Sequence, residues 1–222
     1  MRAPRSYTAL EELGRVRLSR HFFMRDFLHS EIANFFARPN IPDDPDLAIA
    51  AGRALCTELL DPLVETFGPI HVRSAFRSSA LNHFGATQVR PQKCARNEAT
   101  VAGHIWDRRD ARGRMGACAC IVIPWFADQY ARGRDWRDLA WWVHDHLPYH
   151  EMCFFPRLAA FNLTWREDRE PSIRSYIAPR GTLLRAGAEP AEPPAGRAAR
   201  HADFPAFRAI RYPDLPARWR AA

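Results

Sequence analysis

The sequence predicts an α+β domain in which helices pack on a small, mainly antiparallel sheet. Three observations carry that expectation. Residues 46–67 set Leu47, Ala51, Ala54, Leu55, Leu59, Leu63 and Val64 along one helical stripe. Residues 117–123 alternate small and β-branched side chains, as a strand does. Two more strand-like segments, 151–155 and 160–165, follow a second helical pattern, DWRDLAWWVHDHLP, at 135–148.

Taken in order, residues 8–15 are weakly amphipathic and suit a surface segment, so 1–20 read as an N-terminal extension. In HFFMRDFLHSEIANFF (21–36), Phe22, Phe23, Phe27 and Leu28 recur at near-helical spacing, and Asp26 and Ser30 suit the caps of short turns. Pro39 and Pro42 close this unit and lead to an N-cap at Asp43, Asp44 or Asp46. The long helix over 46–67 is expected to bend at Pro62 and to stop at Gly68-Pro69. Ile70 and Val72 predict a buried strand running into a turn that presents Arg77, and Asn82 begins a short helix. The polar stretch 83–103 reads as loop.

Pro124 is expected to end the 117–123 strand. Within 135–148, Leu139, Trp142, Val143 and Leu147 are candidate core positions, and Trp141 and Trp142 read as packing residues rather than a sugar-stacking surface. His144 and His146 do not share a helix face at that spacing, so they read as surface polar groups. An edge strand is expected at 173–177. Ala, Pro, Gly and Arg dominate 185–200, which reads as a flexible linker, so the folded unit is expected over 21–184 with a tail over 185–222. In that tail Phe204, Phe207, Ile210, Tyr212 and Trp219 are candidates to dock back on the domain. No internal repeat is present.

A chain of 222 residues suits one domain, and 47% hydrophobic with 12% aromatic residues excludes wholesale disorder. The formal charge of +7 comes almost wholly from arginine, Lys93 being the one lysine. Such charge suits nucleic acid, anionic wall polymer or anionic lipid alike, but no nucleic-acid module accompanies it, so that partner is not expected. Cys56, Cys94, Cys118, Cys120 and Cys153 are odd in number and not spaced as CxxC pairs, which suits buried reduced thiols. The first 20 residues lack the apolar centre of a signal peptide, and no run approaches the roughly 18 apolar residues of a membrane span. A cytoplasmic monomer without a membrane partner is the expectation.

The chemistry concentrates at 70–82, IHVRSAFRSSALN. A guanidinium just past a strand end, beside small Ser74, Ala75 and Ser78, suits a bidentate grip on a carboxylate. This stretch resembles the strand, arginine and asparagine signature of the M15 peptidases, the zinc D-Ala-D-Ala carboxypeptidase family. The aromatic helical entry, Pro-rich turn and long helix before it follow that family's order too, and the resemblance covers 22–165. It implies an M15-like fold, with Arg77, Asn82 and Ser74 binding the carboxylate end of a peptidoglycan peptide.

In that family a Ser-x-His-x-x-Gly-x-Ala-x-Asp run and a late Trp-x-His-like strand supply the Zn2+ ligands, beside a carboxylate base. Here the His104 loop matches. Gly116, Cys118 and Cys120 occupy the Gly-x-Ala-x-Asp places, so Cys120 stands at the aspartate ligand, and a charged insertion fills 107–115. Asn162 stands at the second histidine and is a poor zinc ligand. Glu151 matches the position of the general base, and neighbouring His150 must face the other way.

Three readings of these residues stay open. In one, His104 and Asp107 form a loop hydrogen-bond pair and Cys120 is a core thiol. In another, His104, Cys120 and a carboxylate from Asp107, Asp110 or Glu151 rebuild a metal site, with Cys118 on the same strand face. In the third, a metal-free site still binds a peptide through Arg77. Arg77 could equally serve a structural ion pair, and a cysteine nucleophile with His104 as base rests on residue type alone. The expected function is peptidoglycan peptide binding, or metal-dependent hydrolysis at a rewired zinc site. The alternative is a non-catalytic binding or structural protein that keeps the fold. A phage-derived chain would be stored before release by lysis, and a basic nucleic-acid binder ranks last.

Overall fold

Ser6 accepts a hydrogen bond from the Ala9 backbone N–H and starts helix α1 (Tyr7–Arg15). The computed structural model of the chain describes residues 2–213. Leu13 and Leu18 lie in the main hydrophobic core, so the segment before residue 21 supplies core side chains. Two short turns, α2 (Arg25–Leu28) and α3 (Glu31–Phe35), follow, the second capped by Ser30. Asp44 then caps α4 (Pro45–Leu55).

The helical path continues through a wider π turn, Cys56–Leu60, into α5 (Asp61–Phe67). Pro62 explains the turn: its ring collides with the carbonyl four residues back in a regular helix, and it has no N–H to donate. The bend expected at Pro62 is therefore a local widening. Gly68, at φ 84°, ends the run with its N–H on the Val64 carbonyl.

The remaining elements are β1 (His71–Ser74), α6 (Ser79–Thr87), β2 (Gly116–Val122), α7 (Pro124–Tyr130), α8 (Trp136–His146), β3 (Glu151–Phe154), β4 (Phe161–Arg166), β5 (Ser172–Ser175), β6 (Gly181–Leu184) and α9 (Pro194–Arg200). They form a six-stranded sheet in the order β1-β2-β4-β3-β5-β6. Every pair is antiparallel except β3 with β5. The fold is α+β on a mainly antiparallel sheet.

Several local expectations need correction. β1 is an edge strand, so Ile70 and Val72 are only half-buried. Pro124 does end β2, but it also opens α7, where the missing N–H costs nothing. β5 is internal and the edge belongs to β6, because β5 adds in parallel beside β3. The 185–200 stretch is not a free linker. Arg197 pairs with Asp145 of α8 at 2.8 Å, and Arg200 reaches Asp138 at 3.0 Å and Glu192 at 2.7 Å, so α9 is tied to α8.

Beyond α9, Phe204 packs on Phe67 and Trp125, Phe207 on Trp142 and His146, and Tyr212 on His21. The Ile210 N–H donates to the Glu65 carbonyl at 2.7 Å. Trp219 lies outside the described residues.

Strand alternation divides the sheet into two chemically different faces. On one face the rows Ala119, Leu163, Met152, Ile173 and Ile121, Phe161, Phe154 are fully buried in the core. Small Ala117 and Ala119 let α4 approach β2 closely, and Trp106 fills the space over Gly52. Leu139, Trp142, Val143 and Leu147 close this core, with Trp141 buried as well. His144 bonds the Tyr149 hydroxyl and His146 stacks on Trp142. The other face carries Ser74, Cys120, Asn162, Cys153 and Arg174 in one row and Cys118, Thr164, Glu151 and Ser172 in the next. That polar face forms the floor of the site. Among the described residues no helix is long and apolar enough to cross a membrane.

Candidate functional site

The polar face of the sheet, walled by α3, Arg77 and the 89–104 segment, encloses a cleft of about 940 Å3. Arg77, Ser74, His104, Cys120, Asn162 and Glu151 all line it, although they come from five separate stretches of chain. A bulge between Val72 and Ser74 contributes: in a regular strand Arg73 and Ser74 would face opposite sides, yet both line the cleft.

Arg77 is held at three points. Its backbone N–H donates to the His104 carbonyl at 2.8 Å, its Nε to Asn82 Oδ1 at 3.0 Å, and its Nη1 to Ser74 Oγ at 3.3 Å. No carboxylate among the described residues forms an ion pair with it. Asn82 itself does not line the cleft. It is fully buried behind Arg77 and spends its amide hydrogens on the Ala95 carbonyl and Asn97 Oδ1. Its role is to aim the guanidinium, so Asn82 positions the binding group and cannot touch a ligand itself.

His104 is buried, and its Nδ1 lies 2.7 Å from the Ala75 carbonyl. A carbonyl only accepts, so Nδ1 carries the proton and Nε2 presents its lone pair, 3.7 Å from Cys118 Sγ. Burial, with Arg77 beside it, holds the His104 pKa down to about 3, while the Ala75 carbonyl and the Asn162 side chain act weakly the other way. Burial also pushes the Cys118 thiol up to about 12 and the Cys120 thiol up to about 11. Both sulfurs therefore carry their protons at neutral pH, which leaves the cysteine nucleophile without an activated thiolate.

The remaining predicted residues fall elsewhere. Asp107 does not join His104, either as its hydrogen-bond partner or as a shared ligand. Its Oδ2 accepts from the Asp43 backbone N–H at 2.7 Å, because the loop after Trp106 turns toward the start of α4. Asp110 accepts from the Arg112 and Arg114 backbones and pairs with Arg166 at 3.4 Å. It lines a separate cavity of about 590 Å3 with Arg112, His150, Asp168 and Glu170. Glu151 faces the cleft, as strand alternation from His150 requires, and pairs there with Arg174 at 2.7 Å.

Among the described residues no three His, Cys, Asp or Glu side chains are placed to share one metal ion. Catalytic zinc sites take three protein ligands, and the donors here stop at His104 with Cys118. The residues present do not fit a Zn2+ centre of that kind.

The sequence reading missed Arg73, Arg90, Lys93 and Arg174, which give the cleft six basic residues with Arg77 and Arg166, against acidic Glu31 and Glu151. It also missed the rim aromatics Phe35, Phe36 and Tyr176. No spacing marks them, since they converge from an edge strand, the end of α3, the loop after α6, and β5 with the turn that follows it. Only the strand alternation of SIRS, with Arg174 opposite Ile173, held any signal.

A pH dependence follows from His104. The unfolded chain accepts a proton below the ordinary value of 6.5, while the folded protein refuses it until about 3. Stability is full above 6.5 and declines as pH falls toward 3, by about 1.4 kcal/mol per pH unit. Urea denaturation at pH 7 and pH 5 should show a larger loss in the wild type than in His104→Gln, whose amide keeps the donor to Ala75. Equal losses would show that His104 does not carry this dependence.

No protein-family model, characterised protein or solved structure matches the chain.

Proposed function

We propose that the cleft binds the carboxylate end of a peptide, with Arg77 as its anchor, in a divergent M15-like protein that recognises peptidoglycan peptides. One observation carries this reading. Arg77 is pre-aimed by Asn82 and Ser74, has no acidic partner among the described residues, and opens into a cleft. A half-buried guanidinium without a counter-ion is costly unless something anionic visits it. Its planar fork suits two carboxylate oxygens.

The proposed role is binding. With two donors where a catalytic zinc takes three, no step is routed through a metal. Glu151 meets Arg174 at 2.7 Å and would have to give up that pair to act on a bound water. Calorimetric titration with N-acetyl-D-Ala-D-Ala and with its C-terminal amide tests the proposal. The acid should bind roughly tenfold tighter or better, the worth of a charge-assisted hydrogen bond. Equal affinity for acid and amide would end it.

A further inference from the structure

A carboxylate on Arg77 accounts for little of a cleft whose volume of about 940 Å3 lies at the upper end of the usual range for ligand sites. The rest is not charge-neutral. Among the described residues Arg73, Arg90 and Lys93 line the same cleft without an acidic partner in ion-pair range. In the second cavity, by contrast, the arginines are matched: Arg112 meets Asp168 at 3.2 Å and Arg166 meets Asp110 at 3.4 Å. Among the described residues, arginines without an ion pair also stand elsewhere on the surface, Arg53, Arg132 and Arg157 among them. What sets this cleft apart is that Arg73, Arg77, Arg90 and Lys93 converge on one cavity.

Arg90 and Lys93 are held in a fixed relation to Arg77. The Lys93 N–H donates to the Gly85 carbonyl of α6 at 3.2 Å. Gln92 Nε2 donates to the Cys94 carbonyl at 2.7 Å. Asn82 is the link: its Oδ1 aims Arg77 while its Nδ2 holds the Ala95 carbonyl at 3.0 Å. One buried amide thus sets the guanidinium and the basic loop together. The same cleft is lined by large apolar groups left in solvent: Phe35 at 83% exposure, and Tyr176 at 55%, stacked on Phe155. Exposed aromatic surface in one cleft with unmatched cations fits a ligand with both apolar and anionic parts.

We infer that the ligand is an acidic peptide read at two places, its terminal carboxylate on Arg77 and an upstream acidic side chain on Arg90 and Lys93, with apolar atoms against the Phe35 rim. This rests on the reading of Arg77 above. A nucleic-acid strand is the less fitting occupant, because Glu31, which has no basic partner in ion-pair range among the described residues, sits within the same walls and would repel continuous phosphates.

The test compares N-acetyl-Glu-Glu-D-Ala-D-Ala with N-acetyl-Gln-Gln-D-Ala-D-Ala by calorimetry. The proteins are the wild type and the double variant Arg90→Ser, Lys93→Ser, both exposed positions whose loss leaves the core untouched. The wild type should prefer the Glu peptide roughly fivefold, as two partly exposed ion pairs allow, and the double variant should show no preference. Equal binding of both peptides to the wild type, or a preference that survives in the double variant, overturns the inference and leaves the Arg77 anchor standing. Failure of the wild type to bind either peptide overturns both. Tighter binding of a dT oligonucleotide than of the Glu peptide, lost in the same variant, reassigns the cations to phosphate and overturns the inference as well.

Discussion

Arg77→Ala should weaken binding of N-acetyl-D-Ala-D-Ala about a hundredfold or more while leaving the protein folded. Removing one partner of a hydrogen-bonded charge pair costs about 2–5 kcal/mol, because the other charge is left in a partly desolvated site. The fold should tolerate the change: Arg77 makes no ion pair among the described residues, and its loss frees only Ser74 Oγ at the cleft wall and Asn82 Oδ1 behind it, where the space left by the guanidinium opens to the cleft. That costs about 1–3 kcal/mol in urea denaturation.

Arg77→Lys sharpens the result. A lysine keeps the charge but cannot offer two parallel N–H groups to a carboxylate while a third bonds Asn82, so affinity should still fall roughly tenfold. Calorimetry on the two variants checks both expectations. Affinity within threefold of wild type for Arg77→Ala would mean that the guanidinium is not the anchor.

The second large effect is expected at Gly116. A Cβ there would press into the Ala102 carbonyl oxygen and lie 2.9 Å from the Trp165 carbonyl oxygen and 2.8 Å from Arg166 Cγ. Backbone atoms cannot rotate away, so Gly116→Ala must separate β2 from the 102–104 turn. Overpacking of this sort costs about 1–3 kcal/mol, and the backbone setting places it at the upper end. The turn matters for the site, since the Gly103 carbonyl accepts from the Cys118 N–H at 2.9 Å and the His104 carbonyl accepts from Arg77. Gly116→Ala should therefore lower both the denaturation midpoint and the affinity for N-acetyl-D-Ala-D-Ala. Alanine at Gly133, where a Cβ meets nothing within 4 Å, separates crowding from backbone strain: its φ of 98° gives strain alone. A loss at Gly116 no larger than at Gly133 would refute the close-approach account.

Much of the architecture was legible because periodicity survives in a single sequence. The stripe from Leu47 to Val64 and the alternation of Ala117–Ile123 located the main helical path and the central strand. Of the residues expected at the site, Arg77, Ser74, His104 and Asn162 line one cleft, while Asn82 lies buried behind it. The errors have physical causes. β1 looked buried because Ile70 and Val72 are apolar, but nothing local says whether a strand lies inside a sheet or on its edge. Asp107 looked like a partner for His104 from three residues away, yet the chain turns between them and gives its carboxylate to Asp43. The segment around α9 looked like a linker by composition, and only Asp138 and Asp145 on a distant helix supply its anchors.

Sequence by itself determined the two faces of the sheet, since a period of two assigns Ala, Leu and Phe to one side and Cys, Asn and Glu to the other wherever a strand forms. It also placed a guanidinium next to a strand end. Only the tertiary structure decided that Arg73, Arg90 and Lys93 gather round that guanidinium and that Asp107 leaves it. The reason is range: periodicity acts over a few residues, whereas charges in a cleft are brought together by strand order and loop anchoring across the whole chain.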